Sequence, residues 1–119
     1  MEWWWYGSNW LNLNFKLNNN SFANVDELLS YTSHFSDEIH QFLKEWFSDS
    51  SDIVVQTSGS TGVPKQISIP KQSFVESAKN TCNYLKITNE VNALLCIPVQ
   101  YIGGKMMVIR ALVSGYNLI

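Results

Sequence analysis

The sequence predicts an α/β fold, and three observations carry that expectation. Short β-branched runs alternate with longer segments of helical period, the helical segments gather their apolar residues on one face, and a Gly/Ser/Thr loop directly follows the run Ile53-Val54-Val55. Strand, loop, helix, strand, helix, strand is the rhythm of a mostly parallel sheet with crossover helices. The 119 residues, 45% hydrophobic and 15% charged, have the composition of one soluble globular domain. A net charge of -2, with 8 Lys and Arg scattered among 10 Asp and Glu, supplies no basic field, so no nucleic-acid partner is expected.

Met1-Glu2-Trp3-Trp4-Trp5-Tyr6 is apolar but has no basic leader region, and Asn and Ser soon interrupt it. We read it as a cytosolic N-terminus, giving a cytoplasmic location without membrane insertion. The three tryptophans suit burial against the domain or an exposed partner-binding patch. Leu11, Leu13, Phe15 and Leu17 alternate with polar residues, which predicts a strand over 11–17, and Asn18-Asn19-Asn20 supplies turn chemistry. Asn24 with Glu27 resembles a capping box, so a short helix is expected over 25–33. A second helix starts after Ser36, where Asp37 and Glu38 suit the positive end of the dipole. Ile39, Phe42, Leu43, Trp46 and Phe47 form its apolar stripe.

Ser48-Asp49-Ser50-Ser51-Asp52 breaks the helical pattern, and Ile53-Val54-Val55 then reads as a strand buried on both faces. Ile67 and Ile69 mark a second short strand, and Pro70 leads into a helix with Phe74, Ala78, Cys82 and Leu85 on one face. Ala93 to Val99 is expected to be a buried strand, and Met106 to Val113 an enclosed helix capped by Gly115. Asn117-Leu118-Ile119 reads as the opening of a further strand. Cys82 and Cys96 are expected to be free buried thiols, because neither a CxxC pair nor a His at metal spacing accompanies them. His34 and His40, six apart, are expected to be solvated or capping side chains.

A strand of three residues at the end of the sequence, after an almost wholly apolar helix, suggests a chain cut inside a domain. The helix Met106 to Val113 and the strand start Asn117 to Ile119 are expected to lack the layers that should cover them, which would forfeit on the order of 10 kcal/mol and favour self-association that buries them.

The chemistry lies in Gln56-Thr57-Ser58-Gly59-Ser60-Thr61-Gly62-Val63-Pro64-Lys65. Gly59 and Gly62 allow close backbone approach, successive N–H groups can form an anion nest, the hydroxyls can donate, and Lys65 adds a point charge. Pro64 restrains the loop just before the lysine. A Walker A loop ends in Gly-Lys-Ser/Thr, whereas Val63-Pro64 separates Gly62 from Lys65 here, so a P-loop NTPase is disfavoured. Composition alone fits a flexible Ser/Gly linker equally well.

The ordered string Thr-Ser-Gly-Ser-Thr-Gly-x-Pro-Lys after a β-branched strand resembles the signature loop of the adenylate-forming superfamily: the AMP-forming acyl-CoA synthetases, luciferases and nonribosomal adenylation domains. Ile97-Pro98-Val99-Gln100-Tyr101-Ile102-Gly103-Gly104 is similar to that superfamily's Leu-Pro-Leu-x-His/aromatic-x-x-Gly segment. With Lys105-Met106-Met107 and Arg110-Ala111-Leu112, it most resembles the o-succinylbenzoate–CoA ligases of menaquinone biosynthesis. Tyr101 stands where many relatives have His, which leaves the acid open. The likeness covers residues 52–119, and residues 1–51 match only loosely.

The resemblance implies the N-terminal part of an acid–CoA ligase, with residues 1–51 as a variable lead-in and 52–119 as the first part of an ATP-binding α/β subdomain. Thr57, Ser58, Gly59, Ser60, Thr61, Gly62 and Lys65 would bind the ATP phosphates. Tyr101, Gly103 and Gly104 would border the acyl pocket, although a packed aromatic beside a glycine-rich helix start explains them too. The resemblance implies a carboxylic acid, ATP and CoA as small-molecule partners, with Mg2+ as cofactor. The Mg2+ ligand and the catalytic residues are expected downstream of Ile119, so none is assigned here, and the 119-residue piece is expected to be inactive alone. Another small-acid or aryl-acid ligase, and a non-catalytic nucleotide-binding module, are the competing readings.

Overall fold

A computed structural model describes residues 11, 12, 14–57 and 62–119. The expectations for Trp3, Trp4, Trp5, Leu13 and loop residues 58–61 lie outside the described residues. In order the elements are β1 (Lys16–Leu17), β2 (Asn20–Ser21), α1 (Val25–Ser33), α2 (Asp37–Trp46), β3 (Asp52–Thr57), β4 (Lys65–Pro70), α3 (Lys71–Tyr84), β5 (Asn92–Ala93), α4 (Ile102–Ser114) and β6 (Asn117–Leu118). They form a four-stranded sheet of order β2-β1-β6-β5 and a separate hairpin of β3 and β4.

The first helices begin where their caps dictate. The Asn24 side chain accepts from the Glu27 N–H at 2.9 Å, while the Glu27 carboxylate reaches back to the Ala23 N–H at 3.3 Å. Ser36 Oγ accepts from the Ile39 N–H, and Ile39, Phe42, Leu43 and Trp46 of α2 are buried as their spacing requires. At the other end of the chain, Gly115 (φ 77°) adopts the left-handed conformation that closes α4.

Among the described residues of the expected strand over 11–17, only Lys16–Leu17 pair as a strand. The preceding residues instead serve the C-terminal end of α4: the Asn12 N–H donates to the Leu112 carbonyl at 2.8 Å, and Asn12 Nδ2 to the Val113 carbonyl. Those carbonyls have no partner inside their own helix, and they take the backbone that a longer strand would have used. Asn18 and Asn19 both have positive φ, 51° and 69°, the backbone of a type I′ turn between β1 and β2.

The strand at Asn117–Leu118 is central to the sheet. It pairs in parallel with β1 on one side and β5 on the other, and α4 is the crossover from β5 to β6. Val108, Ile109, Ala111, Leu112 and Val113 of α4 are each at most 1% exposed. The expectation that this helix and strand lack cover is therefore wrong, and with it goes the reason for expecting self-association there. Cover comes from α3, which packs along α4, and from the residues at β1 far away in sequence.

Further expectations are corrected. Ile53 and Val55 are buried but Val54 is 49% exposed, so β3 has one buried face instead of two. β3 and β4 are antiparallel because the loop joining them is too short for a crossover. The strand expected over Ala93 to Val99 stops at Ala93: Leu94 is 66% exposed, Cys96 is exposed rather than buried, and Pro98 has no N–H for a ladder. Leu85 lies at the C-cap of α3 and is exposed, while Val75 joins Phe74, Ala78 and Cys82 on the buried face.

Candidate functional site

The loop of interest is the tip of the β3–β4 hairpin. Six residue pairs from Asp52↔Pro70 to Thr57↔Lys65 form its stem, and the last pair is the neck from which the loop leaves. The stem is anchored by Ile53 and Val55 in the core and by the Lys71 N–H, which donates to the Ser51 carbonyl at 2.8 Å. Because α3 starts at Lys71, directly after β4, the stem continues into a 14-residue helix without an intervening turn.

On the returning side, Gly62 has φ 83°, a conformation in which any side chain is strained, and Gly62 through Lys65 are exposed. Gly62 is thus in the left-handed conformation three residues before Lys65, and Lys65 pairs with Thr57 at the neck. Ser58, Gly59, Ser60 and Thr61 lie outside the described residues, so the donor set rests on their chemistry. Among the described residues, no three or more His, Cys, Asp or Glu side chains are placed to hold a metal ion.

The second predicted group sits where α4 begins. Tyr101 is the N-cap residue of α4 and is 48% exposed. Its N–H donates to the Pro98 carbonyl at 3.1 Å, closing the turn before the helix. Gly103 meets only the end of the Ile97 side chain, whereas Gly104 touches backbone: a Cβ built there would stand 2.6 Å from the Ile97 carbonyl oxygen and collide with that of Pro98. Glycine at 104 is thus required for α4 to lie against residues 97–98. A packing role for Gly104 follows directly from this contact, independent of any acyl pocket.

Two buried lysines were not foreseen as site residues. Lys105, 9% exposed, donates from Nζ to the Val99 carbonyl at 2.5 Å, and its ammonium stands 5.4 Å from the centre of the Phe42 ring. Lys71, 1% exposed, donates to the Ser48 carbonyl at 2.9 Å. Burial lowers the pKa of both, against the opposing field of Glu45 and, at Lys71, of Asp49. Periodicity held a signal for Lys71, which precedes Phe74, Val75, Ala78 and Cys82 on one helix face. Lys105 was visible as the one cation in the first turn of a mostly apolar helix that also carries Arg110. A cavity of about 730 Å³ lies beside α2, lined by Phe42, Glu45, Ser48, Val99, Gln100 and Lys105 among others.

No protein-family model matches the chain. Over 62 residues it is 37% identical to a 2-succinylbenzoate–CoA ligase of Haemophilus influenzae, a match that covers 52% of this chain and 14% of that protein. It is also 35% identical over 89 residues to bacitracin synthase 1 of Bacillus licheniformis, covering 71% of this chain and 2% of the relative. Among solved structures, an AMP-forming acyl-CoA synthetase/AMP-acid ligase II-like protein of Dyadobacter fermentans superposes with a TM-score of 0.63 at 32% identity. That superposition covers 71% of this chain and 25% of the Dyadobacter chain. The o-succinylbenzoate coenzyme A synthetase of Bacillus subtilis, solved with ATP and magnesium ion, shares the fold at TM-score 0.52 and 18% identity over 80% of this chain and 26% of that one.

The architecture is accordingly a mixed α/β unit that matches part of the domain of adenylate-forming enzymes. Sequence and structural neighbours together support the adenylate-forming superfamily of AMP-forming acid ligases and adenylation domains. The chain spans only 14% and 2% of the length of the first two curated relatives it matches.

Proposed function

We propose that these residues form the polyphosphate-gripping part of an ATP-dependent acid–CoA ligase acting in the cytoplasm on o-succinylbenzoate. Residues 1–51 then serve as a lead-in, and 52–119 as the first part of the ATP-binding subdomain. The observation that carries the reading is the Thr57–Lys65 loop: Gly, Ser and Thr in the signature order, sprung from a closed hairpin neck with Lys65 at its exit.

Ser58, Ser60 and Thr61 hydroxyls, the backbone N–H groups around Gly59 and Gly62, and the Lys65 ammonium hold the β- and γ-phosphates, with Thr57 at the neck. A carboxylate oxygen of the acid bonds to the α-phosphorus of ATP while the bond to pyrophosphate breaks, and the CoA thiol later displaces AMP from the acyl group. Neutralising the charge that builds on departing pyrophosphate is what this loop contributes. Tyr101, Gly103 and Gly104 border the acid. Magnesium would add charge neutralisation at the phosphates, with ligands outside the residues assigned here.

A second reading keeps the ligase chemistry and changes the acid. It draws on Tyr101, which replaces the His of many relatives, and on the equal 37% identity to a linear gramicidin synthase of Brevibacillus parabrevis over 71 residues. The test is acid-dependent ATP–pyrophosphate exchange by the protein that carries this chain, with o-succinylbenzoate and a panel of aryl and small acids. Lys65→Ala should lower exchange by at least roughly a hundredfold while leaving the melting temperature almost unchanged, because the side chain is exposed. Undiminished exchange would remove the loop from the mechanism.

A further inference from the structure

Helix α2 joins the two halves of the proposed site. On one side, Glu45 Oε1 accepts the Val54 N–H at 3.3 Å, on the edge of β3 that faces away from β4. That edge belongs to the strand running into the phosphate loop. Three residues earlier on α2, the Phe42 ring faces the Lys105 ammonium, and Lys105 in turn holds the Val99 carbonyl two residues before Tyr101. Glu45, Phe42, Val99 and Lys105 line one cavity, so the two contacts share a wall.

A buried ammonium is a costly way to fill space. Methionine has nearly the same stem and polarisable end without the desolvation penalty, and replacing buried charge by apolar groups of similar volume is often neutral or stabilising. Packing alone therefore does not account for Lys105. What the ammonium provides and methionine cannot is a directed hydrogen bond to the Val99 carbonyl. The Glu45 contact is likewise directional: it occupies an edge N–H that would otherwise be open to water or to another strand.

We propose that Lys105 and Glu45 are positioning residues, Lys105 fixing the Val99–Gly104 turn that presents Tyr101 to the acid and Glu45 fixing the β3 edge behind the polyphosphate loop, both against α2. This proposal rests on the function given above. Neither residue touches a reacting atom. Each sets where one binding segment sits, so each should act mainly on one ligand. Glu45 also lends its field to Lys105, and Glu45→Gln, which keeps an acceptor and loses the charge, separates that field from the contact with Val54.

The experiment measures KM for the acid and for ATP in pyrophosphate exchange by the protein carrying this chain, as wild type, Lys105→Met, Glu45→Ala and Glu45→Gln. Lys105→Met should raise the acid KM roughly tenfold or more, with the ATP KM within about twofold and little change in melting temperature. Glu45→Ala should do the converse, and Glu45→Gln, which keeps an acceptor oxygen, should restore ATP KM. Equal effects on both ligands, or none on either, would overturn the proposal. Hydrogen exchange at the Val54 and Tyr101 amides gives a readout independent of activity. Faster exchange at Val54 in Glu45→Ala and at Tyr101 in Lys105→Met is expected, and unchanged rates would overturn the positioning roles. If the wild type shows no acid-dependent exchange, the ligase assignment falls, while the amide rates still decide whether these two residues position their segments.

Discussion

Adjacent glycines in the first turn of α4 should respond in opposite directions to the same substitution. In Gly104→Ala the new methyl group would stand 2.6 Å from the Ile97 carbonyl oxygen and closer still to that of Pro98, both backbone atoms that cannot rotate away. Relief requires α4 to move off residues 97–98, an overpacking strain of about 1–3 kcal/mol. The intrinsic preference of a helix for Ala over Gly offsets up to about 1 kcal/mol, and less in a first turn. The net expectation is destabilisation of about 1–2 kcal/mol, seen as a melting temperature lower by roughly 4–8 °C. In Gly103→Ala the nearest atom is Ile97 Cδ1 at 3.4 Å, the end of a flexible side chain, so the helix preference prevails and stability should be unchanged or higher by up to about 1 kcal/mol. Urea and thermal unfolding of both variants, followed by circular dichroism, measure the difference. Equal shifts, or a tolerated alanine at 104, would refute the claimed close approach of α4 to the 97–98 backbone.

Tyr116 gives a pH signature. It is 2% exposed, and burial, with Cys82 adding and Arg110 opposing, raises its pKa from 10.0 to about 12. Between those values the unfolded chain loses the phenol proton first, so stability is fully present below pH 10 and falls as pH rises, by on the order of 2 kcal/mol by pH 12. Comparing unfolding free energies across that range should show a shallower decline in Tyr116→Phe, and parallel curves would contradict the raised pKa. For the proposed acid site, Tyr101→Ala should alter the acid KM or acid selectivity with little effect on ATP, since the side chain is half exposed. Losses shared by all acids and ATP, together with a lower melting temperature, would assign Tyr101 to packing.

Local signals in this chain were legible and long-range ones were not. Asn24 with Glu27, Ser36, Asn18-Asn19 and Gly115 each act through residues within four positions, and each fixes the boundary its chemistry implies. The apolar stripe of α2 reads directly into burial for the same reason. Parallel pairing of β6 with β1 joins residues about a hundred positions apart, which no short-range pattern encodes. That pairing is why Asn117 and Leu118, expected to lack neighbours, have strands on both sides.

The antiparallel sense of β3 and β4 was available from loop length, but the β-branched run obscured it: Ile53-Val54-Val55 looks the same whether one face is covered or two. The proposed phosphate loop stands out in the sequence because the resemblance that marks it rests on a contiguous string. Lys105 and Glu45 act by meeting residues from other elements, Val99 and Val54, and only the folded backbone shows what they hold.

Titration of pyrophosphate into the isotopically labelled protein, with backbone amide shifts read residue by residue, tests the central claim that Thr57–Lys65 is a polyphosphate site. The account predicts saturable shifts concentrated at residues 57–65 in the wild type and lost in Lys65→Ala. Shifts centred elsewhere, or the same shifts with Lys65 removed, would contradict it.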